Sequence, residues 1–211
     1  MFSKENLKLY LVTDRALAGG RDIENIVKSA VKGGVTMVQL REKDIATSDF
    51  VKIGNSLKKA LEGSGVPFVI NDRVDVALAC DADGVHIGQS DMPYETARKL
   101  LGKDKIIGLS VENMQQVIDA NALDVDYIGV SPVFSTPTKT DTAEPFGLEG
   151  LQKVAEISKH PIVAIGGINA SNAADVMKAG ADGIAVVSAI VAAQDPCEAA
   201  GSLMCKISAK L

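Results

Sequence analysis

Residues 67–88 read PFVINDRVDVALACDADGVHIG, and they contain two short apolar segments separated by a pattern typical of a helix. The segments 67–72 and 83–88 lack the strict polar–apolar alternation of a half-exposed strand, which favours strands covered on both faces, as in a parallel sheet. Residues 73–82 between them have apolar side chains at helical spacing. The stretch therefore predicts one strand–helix–strand unit.

The same alternation continues through all 211 residues. We predict eight strands, at residues 7–14, 35–42, 67–72, 83–88, 105–111, 126–133, 161–168 and 182–190. Helical patterns follow them at 23–34, 48–63, 73–82, 94–102, 113–123, 147–159, 172–181 and 195–210. Eight such units close most simply into a single (β/α)8 TIM barrel, which we expect to fill residues 1–211 as one domain. An open doubly wound sheet is the alternative, although the sequence has no GxGxxG turn of a dinucleotide fold.

The composition restricts the partners of this chain. A net charge of −5 disfavours broad attraction to nucleic acid or to an anionic membrane. The first residues, MFSKENLKLYLVTD, lack the apolar core of a signal peptide, and no apolar run reaches transmembrane length. Cys80, Cys197 and Cys205 have no metal-type spacing, which favours reduced thiols. We therefore expect a cytoplasmic protein with small-molecule partners and neither nucleic acid nor membrane; a homo-oligomer stays open.

Polar residues gather where the predicted strands end, which is where barrel enzymes carry their chemistry. Gln39, Arg41 and Lys43 are spaced two residues apart, so in an extended chain they share one face. A guanidinium group beside an ammonium group makes a good binding site for a phosphate or diphosphate. The other polar or backbone-exposing strand ends carry Thr13, Asp14, Asn71, Asp72, Gln89, Ser90, Asp91, Ser110, Thr136, Thr138, Lys139, Gly166, Gly167 and Ser188.

Two carboxylates and two glycine-containing ends suggest what this mouth binds. Asp72 and Asp91 follow neighbouring strands, and paired carboxylates near phosphate-binding cations favour Mg²⁺ shared with substrate oxygens. Helix capping is their alternative role. The small residues that end strands seven and eight suit a monophosphate held by backbone N–H groups. Close packing against the barrel wall is an alternative explanation for Gly166.

The two histidines do not indicate a catalytic triad. His86 lies within a predicted strand, which favours a hydrogen-bonded interior histidine over a base. His160 precedes Pro161 at the opposite end of the barrel, where we expect a surface role. Neither a Ser-His-Asp nor a Cys-His arrangement is therefore indicated. The predicted site binds phosphates and stabilises charge.

These features together resemble the thiamine phosphate synthase family over nearly the whole chain. The motifs that carry the resemblance are LYLVTD (9–14), VQLREKD (38–44), VINDRVDVALACDADGVHIGQSDMP (69–93), SPVFSTPTKTD (131–141), PIVAIGGI (161–168) and GIAVVSAI (183–190). The resemblance implies a transferase of thiamine biosynthesis that uses Mg²⁺. It would join hydroxymethylpyrimidine diphosphate to thiazole phosphate, or to its carboxylated form, and release diphosphate.

The resemblance also implies roles for individual residues. Catalysis would depend on Arg41, Lys43, Ser110 and Lys139, and Mg²⁺ would bind Asp72 and Asp91. The pyrimidine diphosphate would contact Gln39, Arg41, Lys43, Asn71, Ser110 and Lys139. The thiazole phosphate would contact Thr136, Pro137, Thr138, Gly167, Val187 and Ser188. Ser131 and Ser135 stand where the family usually has Gly and Pro, and there we expect altered loop stiffness more than lost activity.

Two other functions compete with this one. A thiazole tautomerase of the same superfamily would isomerise a thiazole carboxylate without Mg²⁺, and would need a histidine at the active mouth. A non-catalytic barrel that binds phosphorylated ligands would bind both substrates without releasing diphosphate.

Overall fold

Eight parallel strands close into a barrel in the computed structural model, which describes residues 2–135 and 144–208. The strands are hydrogen-bonded in sequence order, and β1 closes the barrel against β8. They are β1 (Leu9–Val12), β2 (Met37–Leu40), β3 (Phe68–Asn71), β4 (Gly84–Ile87), β5 (Ile106–Val111), β6 (Tyr127–Val130), β7 (Ile162–Ile165) and β8 (Gly183–Val186). This confirms the predicted (β/α)8 barrel. That one domain fills residues 1–211 stays a prediction.

Helices surround the barrel, and a short 3₁₀ helix, Lys4–Leu7, precedes β1. They are α1 (Ile23–Lys32), α2 (Thr47–Ala60), α3 (Val74–Ala79), α4 (Tyr94–Leu101), α5 (Met114–Ala120), α6 (Gly147–Ile157), α7 (Ala173–Lys178), α8 (Ser188–Val191) and α9 (Pro196–Ser208). Within the described ranges, no helix has the length and apolar character needed to cross a membrane.

The predicted eighth strand is wrong at its carboxyl end. Residues 182–190 were expected to be extended, but β8 ends at Val186 and α8 begins at Ser188. The backbone N–H groups of Ile190 and Val191 both donate to the carbonyl of Val187, which closes a helical turn. Because the turn still buries both side chains, an apolar run of this length fits a strand or a short helix equally well. Ser188 is therefore a helix-start residue instead of a strand residue.

The barrel interior is a small apolar cluster with two buried tyrosines, Tyr10 and Tyr127. Glycines on neighbouring positions make room for them. A side chain at Gly108 would overlap the Tyr127 ring and the imidazole of His86, and one at Gly129 would come within 3.0 Å of His86 Cε1. A larger cluster between the strands and the helices forms the outer core.

Four polar residues, which we call the clamp residues, close the amino-terminal end of the barrel in the same way. Each stands just before an even-numbered strand and accepts a backbone N–H at the start of the preceding strand. The bonds join Thr36 Oγ1 to Leu9 N (2.9 Å), Asp83 Oδ2 to Phe68 N (2.8 Å), Asp126 Oδ2 to Ile107 N (2.8 Å) and Asp182 Oδ2 to Ile162 N (2.9 Å). The backbone N–H of each clamp residue donates back to the carbonyl of that same partner. This end of the barrel is thus satisfied by structural hydrogen bonds.

Candidate active site

A cavity of about 680 Å³ lies at the carboxyl ends of the strands, and residues from all eight strands or the segments that follow them contribute to its wall. Its volume suits a small organic ligand. The cavity brings together ten of the predicted site residues: Gln39, Arg41, Lys43, Asn71, Asp72, Asp91, Ser110, Gly167, Val187 and Ser188. The other four, Thr136, Pro137, Thr138 and Lys139, lie outside the described residues.

The cationic part of the wall follows β2. Thr13 Oγ1 accepts the backbone N–H of Arg41 at 3.1 Å, which continues the pairing with the β1 side beyond the end of the strand. Arg41 Nη1 lies 3.6 Å from Asp14 Oδ2. Arg41 and Lys43 line the cavity, whereas Glu42 forms an ion pair with Arg15 at 2.7 Å. Alternation along the chain therefore places the two cations on the cavity side.

The carboxylate part of the wall follows β3 and β4. Asp72 has a left-handed backbone conformation (φ 62°), and its N–H donates to the carbonyl of His86 at 2.8 Å. Few residues other than glycine adopt this conformation, although Asp and Asn do so more readily than most. Asp91 accepts the N–H of Gly88 at 2.7 Å.

The two carboxyl groups lie close enough to interact. Burial raises the pKa of Asp91, and its hydrogen-bonding and charge interaction with the Asp72 carboxyl raises it further. The N-cap positions of the following helices are Arg73 and Pro93, and neither helix start has a side-chain capping hydrogen bond, so helix capping does not account for the two aspartates. Oxygen donors side by side fit a hard divalent cation. In the described part of the chain no group of three His, Cys, Asp or Glu side chains is placed to hold a metal ion.

The part of the wall that follows β7 contains two consecutive glycines, Gly166 and Gly167. Gly166 and Gly167 have φ values of 107° and 66°, and a Cβ at Gly166 would lie 2.8 Å from Pro132 Cβ. The packing role considered for Gly166 is therefore supported by its close approach to the segment after β6. Gly167 and the start of α8, at Ser188, line the cavity. This arrangement suits a phosphate group bound by main-chain N–H groups.

A buried hydrogen-bond chain underlies the cavity, and the sequence did not reveal it. Gln39 Nε2 donates to Tyr10 OH at 2.7 Å, and Tyr10 OH lies 2.9 Å from Tyr127 OH. Tyr127 OH is 2.9 Å from Nδ1 of His86, whose Nε2 is 2.8 Å from Ser110 Oγ. Burial raises the pKa of both tyrosines, which keeps them uncharged. A tyrosine in each of two otherwise apolar strands was the available signal.

A closed (β/α)8 barrel with cations, paired carboxylates and consecutive glycines around one mouth defines a class of protein: an enzyme that acts on small phosphorylated molecules. Comparison with known proteins is more specific. Residues 9–190 match the family model described as thiamine monophosphate synthase. The chain therefore belongs to the thiamine monophosphate synthase family, which confirms the resemblance seen in the sequence.

Relatives of similar length support the same assignment. The chain is 59% identical over 194 residues to the thiamine-phosphate synthase of Albidiferax ferrireducens, covering 92% of this chain and 89% of the relative. It is 51% identical over 190 residues to that of Clostridium novyi, covering 90% and 93%. The solved structure of thiamine phosphate pyrophosphorylase from Pyrococcus furiosus matches with a TM-score of 0.89 and 42% identity, over 97% of this chain and 96% of that one. The chain is thus an enzyme, a transferase of thiamine biosynthesis that makes thiamine phosphate.

Proposed function

We propose that this enzyme makes thiamine phosphate by joining hydroxymethylpyrimidine diphosphate to thiazole phosphate or its carboxylated form. The observation that carries the proposal is the placement of Arg41 and Lys43 beside Asp72 and Asp91 on one cavity wall. Cations and a carboxylate pair together suit a diphosphate bound with a metal ion. We also propose a cytoplasmic location, which is supported by the three free cysteines, Cys80, Cys197 and Cys205.

The pyrimidine diphosphate would occupy the β2–β5 side of the cavity. Gln39 and Asn71 are 4% and 7% exposed, so their amide groups are held within the wall and suit polar atoms of the substrate. Ser110 would contact the pyrimidine ring. Arg41 and Lys43 would bind the diphosphate, and Lys139, which lies outside the described residues, would act with them. We assign catalytic roles to Arg41, Lys43, Ser110 and Lys139.

Asp72 and Asp91 would hold Mg²⁺. When bound, this ion would neutralise charge on the diphosphate oxygens. The structure fits such an ion through the closeness of the two carboxyls and through the oxygen-only character of the pair. Lys43 Nζ lies 2.7 Å from Asp72 Oδ2, so it would exchange this partner for the diphosphate when substrate and metal arrive.

The thiazole phosphate would occupy the side formed by β7 and β8. Its phosphate would contact Gly167 and the backbone of Val187 and Ser188. The described Phe134 and Ser135 approach Gly167 closely, which brings the start of the segment after β6 to the same place. Thr136, Pro137 and Thr138 continue that segment outside the described residues, and we propose that they complete the thiazole site.

The reaction would break the bond between the pyrimidine methylene carbon and the diphosphate oxygen. The electron-rich aminopyrimidine delocalises the resulting cation, while Arg41, Lys43 and Lys139 stabilise the charge that grows on the leaving oxygens. The thiazole nitrogen then donates its lone pair to the methylene carbon, within a cavity that holds both partners aligned. This nitrogen carries no proton to remove, so a general base is not needed. Loss of CO₂ completes the product if the thiazole is carboxylated.

The test is diphosphate release from the purified enzyme, with each substrate alone and with both, in the presence and absence of Mg²⁺. We expect release only with both substrates and Mg²⁺, and its loss in Asp72→Asn. Isomerisation of a thiazole carboxylate without diphosphate release would instead establish the tautomerase function. Binding of both ligands without turnover would establish a non-catalytic barrel.

A further inference from the structure

The buried hydrogen-bond chain links two residues of the proposed pyrimidine site through three that have no assigned role, two of which, Tyr10 and His86, also line the cavity. Gln39 and Ser110 lie at its ends, and Tyr10, Tyr127 and His86 lie between them. Tyr10 and Tyr127 are 1% and 0% exposed. Inward layers of such barrels are normally filled by bulky apolar side chains. A polar chain in this position must therefore be fully paired to be tolerated.

With the Gln39 amide nitrogen facing Tyr10, a neutral imidazole and every hydroxyl proton paired within the hydrogen-bond chain, each bond takes one direction. The amide nitrogen of Gln39 has no lone pair to offer, so Tyr10 OH accepts there and gives its single proton to Tyr127. Tyr127 in turn donates to Nδ1 of His86, and this nitrogen is therefore unprotonated. The imidazole proton then resides on Nε2 and is donated to Ser110 Oγ. The proton of the Ser110 hydroxyl remains for an acceptor in the cavity that Ser110 lines.

Turning the Gln39 amide would reverse this hydrogen-bond chain. If the Gln39 carbonyl faced Tyr10, every donor would become an acceptor, His86 would be protonated at Nδ1, and Ser110 would offer a lone pair to the cavity. The orientation of one amide thus decides whether a serine on the far side of the barrel donates or accepts. Uncharged tyrosines suit this transmission because neither can lose its proton to break the sequence of donors.

We propose that Tyr10, Tyr127 and His86 are positioning residues that make Gln39 and Ser110 act as one unit in recognising the pyrimidine. The identity of the substrate in this inference rests on the proposed function. The hydrogen-bond chain itself is present in the free protein. In the unliganded enzyme the chain sets Ser110 as a donor, which suits a ring nitrogen of an aminopyrimidine. The three positioning residues transmit this setting and do not themselves take part in the reaction.

The first experiment measures the tautomer of His86 directly. The protein has two histidines, so ¹⁵N-histidine labelling gives the signals of two imidazole rings. The substitution His160→Gln removes the signals that do not belong to His86. We expect a bare Nδ1 and a protonated Nε2 in the intact protein. Tyr10→Phe, which leaves the hydrogen bond between Tyr127 and His86 in place, should convert this single tautomer into a mixture because Tyr127 loses its fixed donor. Tyr94→Phe is the matched control, since Tyr94 OH donates to Asp124 O on the outer surface and should leave His86 unchanged.

Two outcomes would overturn the proposal: a proton on Nδ1 in the intact protein, or a His86 tautomer that ignores Tyr10→Phe. Gln39→Leu provides a second variant that interrupts the chain from its end and should produce the same mixture. A role limited to packing would leave the tautomer alone, since the Tyr127–His86 bond remains in both variants. Thermal melting of each variant verifies that the barrel is folded.

The second experiment measures coupling in catalysis. We expect the losses in kcat/KM from Gln39→Leu and Ser110→Ala to be non-multiplicative by about fivefold, and to multiply in a Tyr127→Phe background. Coupling that persists without the Tyr127 hydroxyl would contradict transmission through the chain. An enzyme that never releases diphosphate would refute the proposed function instead. The tautomer measurement would still show whether the hydrogen-bond chain sets the protonated nitrogen of His86.

Discussion

Lys43 Nζ lies 2.7 Å from Asp72 Oδ2, so the cationic and anionic parts of the cavity wall are joined by an ion pair. The Lys43 side chain is about half exposed and that of Asp72 is 21% exposed. Such a pair contributes little to folding stability. Its significance is competition, because a metal ion at Asp72 and a diphosphate at Lys43 would each displace one partner.

Replacing Lys43 by Met should therefore have opposite effects on metal and substrate. We expect the affinity of the free enzyme for Mg²⁺ to rise about threefold, because Asp72 loses its competing cation. The kcat/KM for the pyrimidine diphosphate should fall about 100-fold, because a charge-assisted contact to the leaving group is lost. Calorimetric metal titration and steady-state kinetics measure the two effects. Lys52→Met removes an exposed pair with Asp49 and should change neither value; weaker Mg²⁺ binding in Lys43→Met would contradict the competition.

Substitutions at Asp72 should separate backbone strain from chemistry. Asp72→Ala should lower the free energy of unfolding by about 1 kcal/mol relative to Asp72→Gly, because alanine tolerates the left-handed φ of 62° less well than glycine. Both variants should lose Mg²⁺-dependent turnover. Urea denaturation gives the stabilities and diphosphate release gives the activity. Equal stability of the two variants would show that the backbone relaxes at this position.

Gly167→Ala should weaken thiazole phosphate binding selectively. The added Cβ would lie 2.8 Å from Phe134 Cβ and 2.9 Å from the carbonyl of Ser135, so the segment after β6 must move. We expect KM for thiazole phosphate to rise about tenfold, with KM for the pyrimidine diphosphate unchanged. Gly63→Ala is the control: Gly63 has a similar φ of 75° but no atom within 4 Å of the added Cβ. It should reduce stability without altering either KM, and equal effects of the two variants would refute the selectivity.

Loss of a clamp residue should reduce stability without affecting turnover. Asp83→Ala leaves the buried N–H of Phe68 without its side-chain acceptor and should lower the free energy of unfolding by about 1–3 kcal/mol. Asp83→Asn keeps an acceptor oxygen and should cost less. The kcat should be unchanged below the melting temperature, because the clamp residues lie at the end of the barrel opposite the cavity. A fall in kcat at full folding would show that the two ends are coupled.

The sequence predicts the barrel well because its evidence is local. Each strand is a short apolar run of limited length, and eight of them at regular spacing leave few alternatives. The exception is the segment Ser188–Ile190, where a helical turn and a strand would bury the same apolar side chains. Its geometry is set by hydrogen bonds to Val187, which no residue pattern specifies.

The site was predictable to the extent that it follows from position along the chain. Gln39, Lys43 and Asp72 lie at strand ends, and closing the barrel is enough to bring strand ends together. Tyr10 and Tyr127 were not predictable in this way. Their hydroxyl groups meet across the barrel, between strands that are not neighbours, so their contact depends on register and on space left by glycines.

The four clamp residues imply a modular construction. Each joins the base of one odd-numbered strand to that of the next even-numbered strand, through a side-chain and a backbone hydrogen bond. The residue types differ, with threonine in the first pair and aspartate in the others, so what recurs is a bonding pattern and not a sequence repeat. The barrel is in this sense a ring of four equivalent quarters, and a rearranged gene that began at β3, β5 or β7 would keep every quarter whole.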